Sequence, residues 1–191
     1  MFSLEFLLIS LPILLVTITI HEFAHALVAD RLGDPTPRLA GRLTLNPISH
    51  IDPIGFLALI LVRFGWAKPV PINPYNFKNV RQGTMLVSLA GPLSNFFAAW
   101  VLAVIFKNVP LAEYSVVRQV LDYAIWINIA LAVFNLIPIP PLDGSKIFDQ
   151  FIPYRYMEFL RQNGLIILLV FIMFGSPLLF GVVNFIYSLL V

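Results

Sequence analysis

Cysteine is absent from this 191-residue chain. Disulfides, iron–sulfur clusters and thiolate metal sites are therefore excluded, and any metal must be held by histidine and carboxylate. Charge is scarce too: Asp, Glu, Lys and Arg make up 12% of the residues, against roughly 25% in soluble globular proteins. A water-facing surface needs more polar cover than that. No polar run is long enough for a separate soluble domain, so one membrane-embedded domain over 1–191 is expected. The net charge of +2 is too small to point to nucleic acid. The first ten residues hold Glu5 and no Lys or Arg, and the apolar run continues past Ile20. A secretory leader wants a basic start and a small-residue cleavage site, so this segment is expected to be retained.

What the chain has in abundance is apolar length. It is 59% hydrophobic with a mean hydropathy of +0.89, and several runs approach the ~20 residues a helix needs to cross a bilayer. Full spans are expected at 4–30, 84–106 and 117–137. The stretch 164–191 is apolar again but interrupted at Gly175, Ser176 and Pro177, which suits one kinked crossing or two short helices. Between the first two spans, GDPTP and LNPISH supply turn chemistry, and the alternation in RLAGRLTLN predicts a short β-ribbon over 39–45. The apolar run 54–62 falls well short of the ~30 Å hydrocarbon core at 1.5 Å per residue. It reads as a re-entrant element, allowed where protein covers its backbone. Residues 63–83 are basic and broken by Pro69, Pro71 and Pro74, as expected of a surface loop. The fold class is an all-α polytopic membrane protein.

If 54–62 does not cross, the loop 31–82 and the segment 139–162 lie on one side of the membrane. They hold 10 of the 12 Lys and Arg residues, leaving Lys107 and Arg118 opposite. The positive-inside rule makes the first side cytoplasmic, so a multi-pass protein of the cell membrane is expected.

Near the end of the first span stands His21-Glu22-Phe23-Ala24-His25, the H-E-x-x-H pattern. Residues four apart share a helix face, so His21 and His25 can aim a ring nitrogen at one zinc ion. Glu22, next to the first ligand, is placed to act on water as general base. Charged side chains inside a membrane helix each cost roughly 2.5–3.5 kcal/mol on the insertion scale. Three ionisable residues in five positions demand compensation, which a divalent cation supplies; a proton relay or a packing cluster is the bland alternative. A catalytic zinc needs a third protein ligand. Candidates are His50 and carboxylates, and Asp143 is the best placed, directly after the third span on the same side. A turn-forming Asp-Gly is the alternative for Asp143.

The chain resembles the site-2 protease family of intramembrane zinc metalloproteases, in particular its compact prokaryotic members. The resemblance rests on HEFAH at 21–25, LNPISHIDPIG at 45–55, FGWAKPVPINP at 64–74, GPLSN at 91–95 and NLIPIPPLDG at 135–144. It implies that His21, His25 and Asp143 ligate Zn2+ and that Glu22 activates water. It also implies that Asn95 lies near the site and helps hold substrate or the developing oxyanion; a helix-packing amide is the other reading of that residue. A three-helix catalytic core is implied, matching the three expected spans, with the C-terminal apolar helix or helices added. Many relatives carry an extra leading helix, or PDZ or CBS domains, and no segment here matches those.

His50 and Asp52 read as a turn at the membrane surface, as an alternative ligand set or as support for a zinc ligand, and Asn135 as a helix cap or turn or a contact to the Asp143 loop or substrate. An exposed ribbon edge at 39–45 would capture an unwound substrate by strand addition. The expected activity is zinc-dependent hydrolysis of a peptide bond in or near a transmembrane segment of another protein, with the lipid bilayer as the other partner. The competing class is a metal-binding membrane transporter or sensor with no hydrolysis. Substrate identity, oligomeric state and regulation have no signature in the sequence.

Overall fold

The computed structural model describes residues 4–62, 65–110 and 115–191. Arg63 of the expected basic loop, Phe64 of the FGWAKPVPINP motif and residues 1–3 of the leader-like start lie outside them. Among the described residues seven α-helices follow in order: α1 (Leu4–Arg31), α2 (Thr36–Leu39), α3 (Pro53–Val62), α4 (Val80–Asn108), α5 (Val116–Asn135), α6 (Asp143–Phe148) and α7 (Tyr154–Leu190). By length and apolarity, α1, α4, α5 and α7 can each cross a membrane. Helix α3, at 10 residues, reaches about 15 Å and cannot.

Local chemistry sets the boundaries. Asn79 caps α4 by accepting from the Gln82 N–H at 3.0 Å, and Ser115 caps α5 by accepting from the Arg118 N–H at 3.2 Å. Asp52 does the same for α3, accepting from the Gly55 N–H at 2.8 Å. Helix α1 stops at Gly33, whose φ of +103° favours glycine. Of the two readings of 164–191, one continuous helix is found: α7 runs through Pro177 for 37 residues. At roughly 55 Å it is far longer than the ~30 Å hydrocarbon core.

The ribbon expected over 39–45 is not there. Leu39 ends α2, and Gly41 at φ +68° turns the chain back, with the Arg42 N–H donating to Pro37 O at 2.8 Å. A proline-opened turn and a left-handed glycine override the alternation. Among the described residues the one extended pairing is an antiparallel bridge between Ile51 and Ala67, continued by Lys68 N–H to His50 O at 3.0 Å. Strand addition along 39–45 loses its basis with the ribbon.

Helices α4 and α5 pack through Ala99, Ala103 and Phe106 against Ile125 and Ile129, with Val183 of α7 closing the cluster. Small residues let backbones approach where lipid provides no hydrophobic drive. Helix α7 is further tied by Trp126 Nε1–H donating to Asn184 Oδ1 at 3.0 Å and by the Tyr187 hydroxyl donating to Asp122.

Candidate metal centre

The three-helix core of α1, α4 and α5 brings together residues that are remote in sequence. One turn of α1 puts His21 and His25 on the face that meets α4, both buried. Asp143, the first residue of α6, arrives from 118 residues beyond His25. Pro138, Pro140 and Pro141 end the regular helix, and Gly144 lets the new one start hard against α5. A Cβ at 144 would run into the carbonyls of Leu136 and Ile137.

Asp143 Oδ2 lies 3.1 Å from His21 Nε2 and 3.1 Å from His25 Nε2. These three form the one His/carboxylate group among the described residues whose ligand atoms converge on a possible metal position. The donor set fits zinc. Each imidazole donates its other N–H outward: His21 Nδ1 to Asn95 Oδ1 at 2.6 Å, His25 Nδ1 to Val87 O at 2.7 Å. Both Nε2 lone pairs are thereby turned towards the Asp143 carboxylate, an arrangement that repels unless a cation sits between them. Tetrahedral zinc with bonds of about 2.0–2.1 Å separates neighbouring donors by roughly 3.3 Å, close to the observed spacing. Gly91 of α4 leaves the pocket open: a Cβ there would lie 2.5 Å from His21 Nε2 and closer still to His25 Nε2.

Asp143, facing those two lone pairs, is the carboxylate member of the donor set. Glu22, half-buried, points into the cleft, where its Oε2 accepts from the Val70 N–H at 3.2 Å. The cleft has a volume of about 340 Å³ and is bounded by 66–72 on one side and by Ser88, Asn135, Pro141 and Lys146 on the others.

Asn95 is fully buried behind His21, away from the cleft. Its Nδ2 donates to Thr17 O at 3.2 Å and to Asn128 Oδ1 at 3.1 Å, and Asn128 in turn donates to Thr17 Oγ1 at 3.1 Å. With both amide hydrogens engaged, Asn95 orients His21. Asn135 borders the cleft and donates to Leu131 O at 3.0 Å. His50 and Asp52 are outside the ligand group. His50, buried, donates from Nε2 to Thr44 O at 2.9 Å and faces the Arg42 guanidinium with Nδ1, while Asp52 caps α3.

Several functional residues escaped sequence reasoning. Thr17 and Asn128 are polar positions inside apolar spans, a signal of buried networks that was there to use. Gly91, followed by Pro92 in mid-helix, is costly for α4 alone and so signals close approach. The supports of the 66–72 strap were legible less easily. Arg42, buried, donates to Lys68 O. Fully buried Asp34 accepts from Asn73 N–H, Asn76 Nδ2, Thr36 N–H and Thr36 Oγ1 at 2.6–3.1 Å. Burial pushes the Asp34 carboxyl up, yet these four bonds win and hold it below its ordinary value.

Comparison with known proteins agrees with this geometry. The model of the family described as Peptidase family M50 matches residues 108–176. "Putative zinc metalloprotease YwhC" of Bacillus subtilis (strain 168) is 41% identical over 175 residues, which cover 86% of this chain and 79% of that one. "Putative zinc metalloprotease Rip2" of Mycobacterium tuberculosis (strain H37Rv) is 30% identical over 188 residues, covering 92% and 71%. Stage IV sporulation protein FB of Bacillus subtilis (strain 168) is 29% identical over 160 residues, covering 74% and 51%. No solved structure matches the chain.

Proposed function

The chain belongs to peptidase family M50, the intramembrane zinc metalloproteases, and from that membership we propose that it hydrolyses a peptide bond in or next to a transmembrane segment of another membrane protein. His21, His25 and Asp143 hold the zinc, and Glu22 moves the proton. The observation that carries this reading is the convergence of two outward-donating imidazoles and one carboxylate beside a cleft that Glu22 faces.

Zinc bound there supplies a Lewis acid that polarises water and the scissile carbonyl without redox chemistry. Glu22 takes the proton from the attacking water and returns it to the leaving nitrogen, the two roles one carboxylate plays in sequence. The Val70 N–H keeps Glu22 turned to the cleft between turnovers. Asn95 and the Val87 carbonyl fix the tautomer and orientation of the ligand rings. With α3 too short to cross, the ten-to-two distribution of basic residues favours an active site near the cytoplasmic face of the cell membrane. The whole of 1–191 works as one membrane-embedded domain in this reading.

The test compares membranes carrying the wild-type protein with membranes carrying Glu22→Gln. Fragments of membrane proteins are expected in the wild type and absent in the variant, with equal zinc per chain in both. Identical fragment sets would end the proteolytic reading.

A further inference from the structure

Trp66 and Ala67 wall the metal cleft, and they also wall a second cavity of about 130 Å³. Its lining is mainly aliphatic and aromatic: Leu14 and Ile18 of α1, Phe56 and Leu59 of α3, Leu131 of α5. Positions 14, 18 and 22 follow one another at intervals of four, so the cavity runs along the face of α1 that carries Glu22. It lies one to two turns nearer the N-terminus, deeper in the span Ile9–Arg31. Its outer wall is fixed in place. Gly55 and Gly65 touch so closely that a Cβ on either would strike the backbone of the other's segment, locking 65–67 against α3.

In the opposite direction the metal cleft opens along Pro69, Val70, Ser88 and Lys146 into a groove of about 610 Å³. That groove is rimmed by Asp149 and Arg161, which form an ion pair at 2.9 Å. A peptide laid past Glu22 therefore meets an apolar recess on one side and, on the other, a wider groove with the charged residues Lys146, Asp149 and Arg161 at its rim.

Resting on the proteolytic reading above, we propose that this recess receives one large apolar side chain of the substrate and so selects the bond that is cut. The side chain belongs to a residue flanking the scissile bond on its membrane-deep side. The volume is several times what one water needs and is on the scale of a leucine or phenylalanine side chain. The recess adjoins the cleft at Trp66 and Ala67, and both lie along the face of α1 that carries Glu22. The substrate class that follows is a membrane segment with a bulky apolar residue next to the cut and polar residues following on the aqueous side.

The experiment uses the full chain, zinc-loaded in detergent micelles, and a mixture of apolar peptides made by cyanogen bromide fragmentation of bacterial membrane proteins. Cut sites are read by mass spectrometry for wild type, Leu14→Phe, Leu59→Ala and, as blank, Glu22→Gln; zinc per chain is measured for each. Wild type should enrich Leu and Phe at one position beside the cut. Leu14→Phe narrows the recess and should lower the preference for Phe over Ala by about 10-fold or more. Leu59→Ala widens it and should shift the preference to larger side chains. If Leu14→Phe fails to load zinc, Leu59→Ala decides. A wild-type profile with no side-chain preference beside the cut would overturn the proposal. So would variant profiles matching wild type, which would leave the recess to a lipid acyl chain. Peptides indistinguishable from the Glu22→Gln blank would instead overturn the proteolytic reading itself.

Discussion

Gly91→Ala adds a single methyl group, and the structure puts that methyl against the ring nitrogens of both His21 and His25. Its Cβ would sit 2.5 Å from His21 Nε2 and 2.6 Å from His21 Cε1. Ordinary contact begins at 3.4 Å, so something must move by roughly 1 Å. Neither ring can retreat. His21 is held from behind by Asn95, itself fully buried, and His25 by the Val87 carbonyl of the same helix that carries the new methyl. The rings also brace each other edge to face, with centroids 4.6 Å apart. The remaining outlet is for α4 to back away from α1, an overpacking strain of about 1–3 kcal/mol. Zinc sites tolerate displacements of only about 0.2 Å, and even changes to supporting residues cost about 10–100-fold in metal affinity. Direct intrusion should cost at least about 100-fold. The assay titrates zinc in a chelator-buffered series, measures bound metal by mass spectrometry, and records hydrolysis in parallel. Gly181→Ala is the control, because a Cβ there meets nothing within 4 Å; it should be neutral or stabilise by about 0.4–1 kcal/mol. Wild-type zinc affinity and turnover in Gly91→Ala would refute the reasoning.

The same geometry yields further expectations. Asn128→Leu removes an acceptor and a donor from the Asn95–Thr17 network. It should destabilise by about 0.6–1.7 kcal/mol and weaken zinc binding by about 10-fold, measured by thermal unfolding and metal titration. Asp34 has a folded pKa below its unfolded value, so its stabilising contribution is fully present above about pH 4 and is lost as pH falls through the folded value. Protection factors at Asn73, Tyr75 and Asn76 should fall on acidification in the wild type, and Asp34→Ala should show low protection at every pH, with a loss of about 2–3 kcal/mol; equal acid sensitivity in the variant would count against the anchor. Arg42→Ala should release the strap at Lys68, raising amide exchange over 66–70 and lowering kcat with zinc content unchanged, while Arg42→Lys restores part of the protection.

Hydropathy and helix period revealed the spans because those signals are local. Length in apolar residues found α1, α4 and α5 to within a few positions, and the four-residue spacing of His21 and His25 needed no knowledge of the fold. Asp143 was reachable because it is a carboxylate that follows soon after the third expected span. What stayed hidden depends on contacts across 39 to 111 residues, such as Asn128 reaching Thr17 and Asp34 reaching Asn73 and Asn76. Such pairings leave only an unpaired polar residue in the sequence, with no address for its partner. The ribbon at 39–45 failed for the opposite reason. Alternation over seven residues is weak beside a proline that starts a helical turn and a glycine that ends it. His50 drew attention as a spare histidine, yet its place between Thr44 and Arg42 is set by a turn whose course the sequence does not specify.

The long gap between His25 and Asp143 has a consequence of a different kind. An ion held, as proposed, by two residues of α1 and one of α6 would cross-link points 118 residues apart, with α4 and α5 enclosed in the loop. In a chain without a single cysteine, such a metal would take the part a disulfide plays elsewhere: a removable tie that closes a large loop. Chelation should therefore loosen more than the cleft. The freed end is α6 with its proline turn, so the groove wall along Pro141 and Lys146 would come adrift together with the chemistry, and reloading the ion would restore shape and activity in one step.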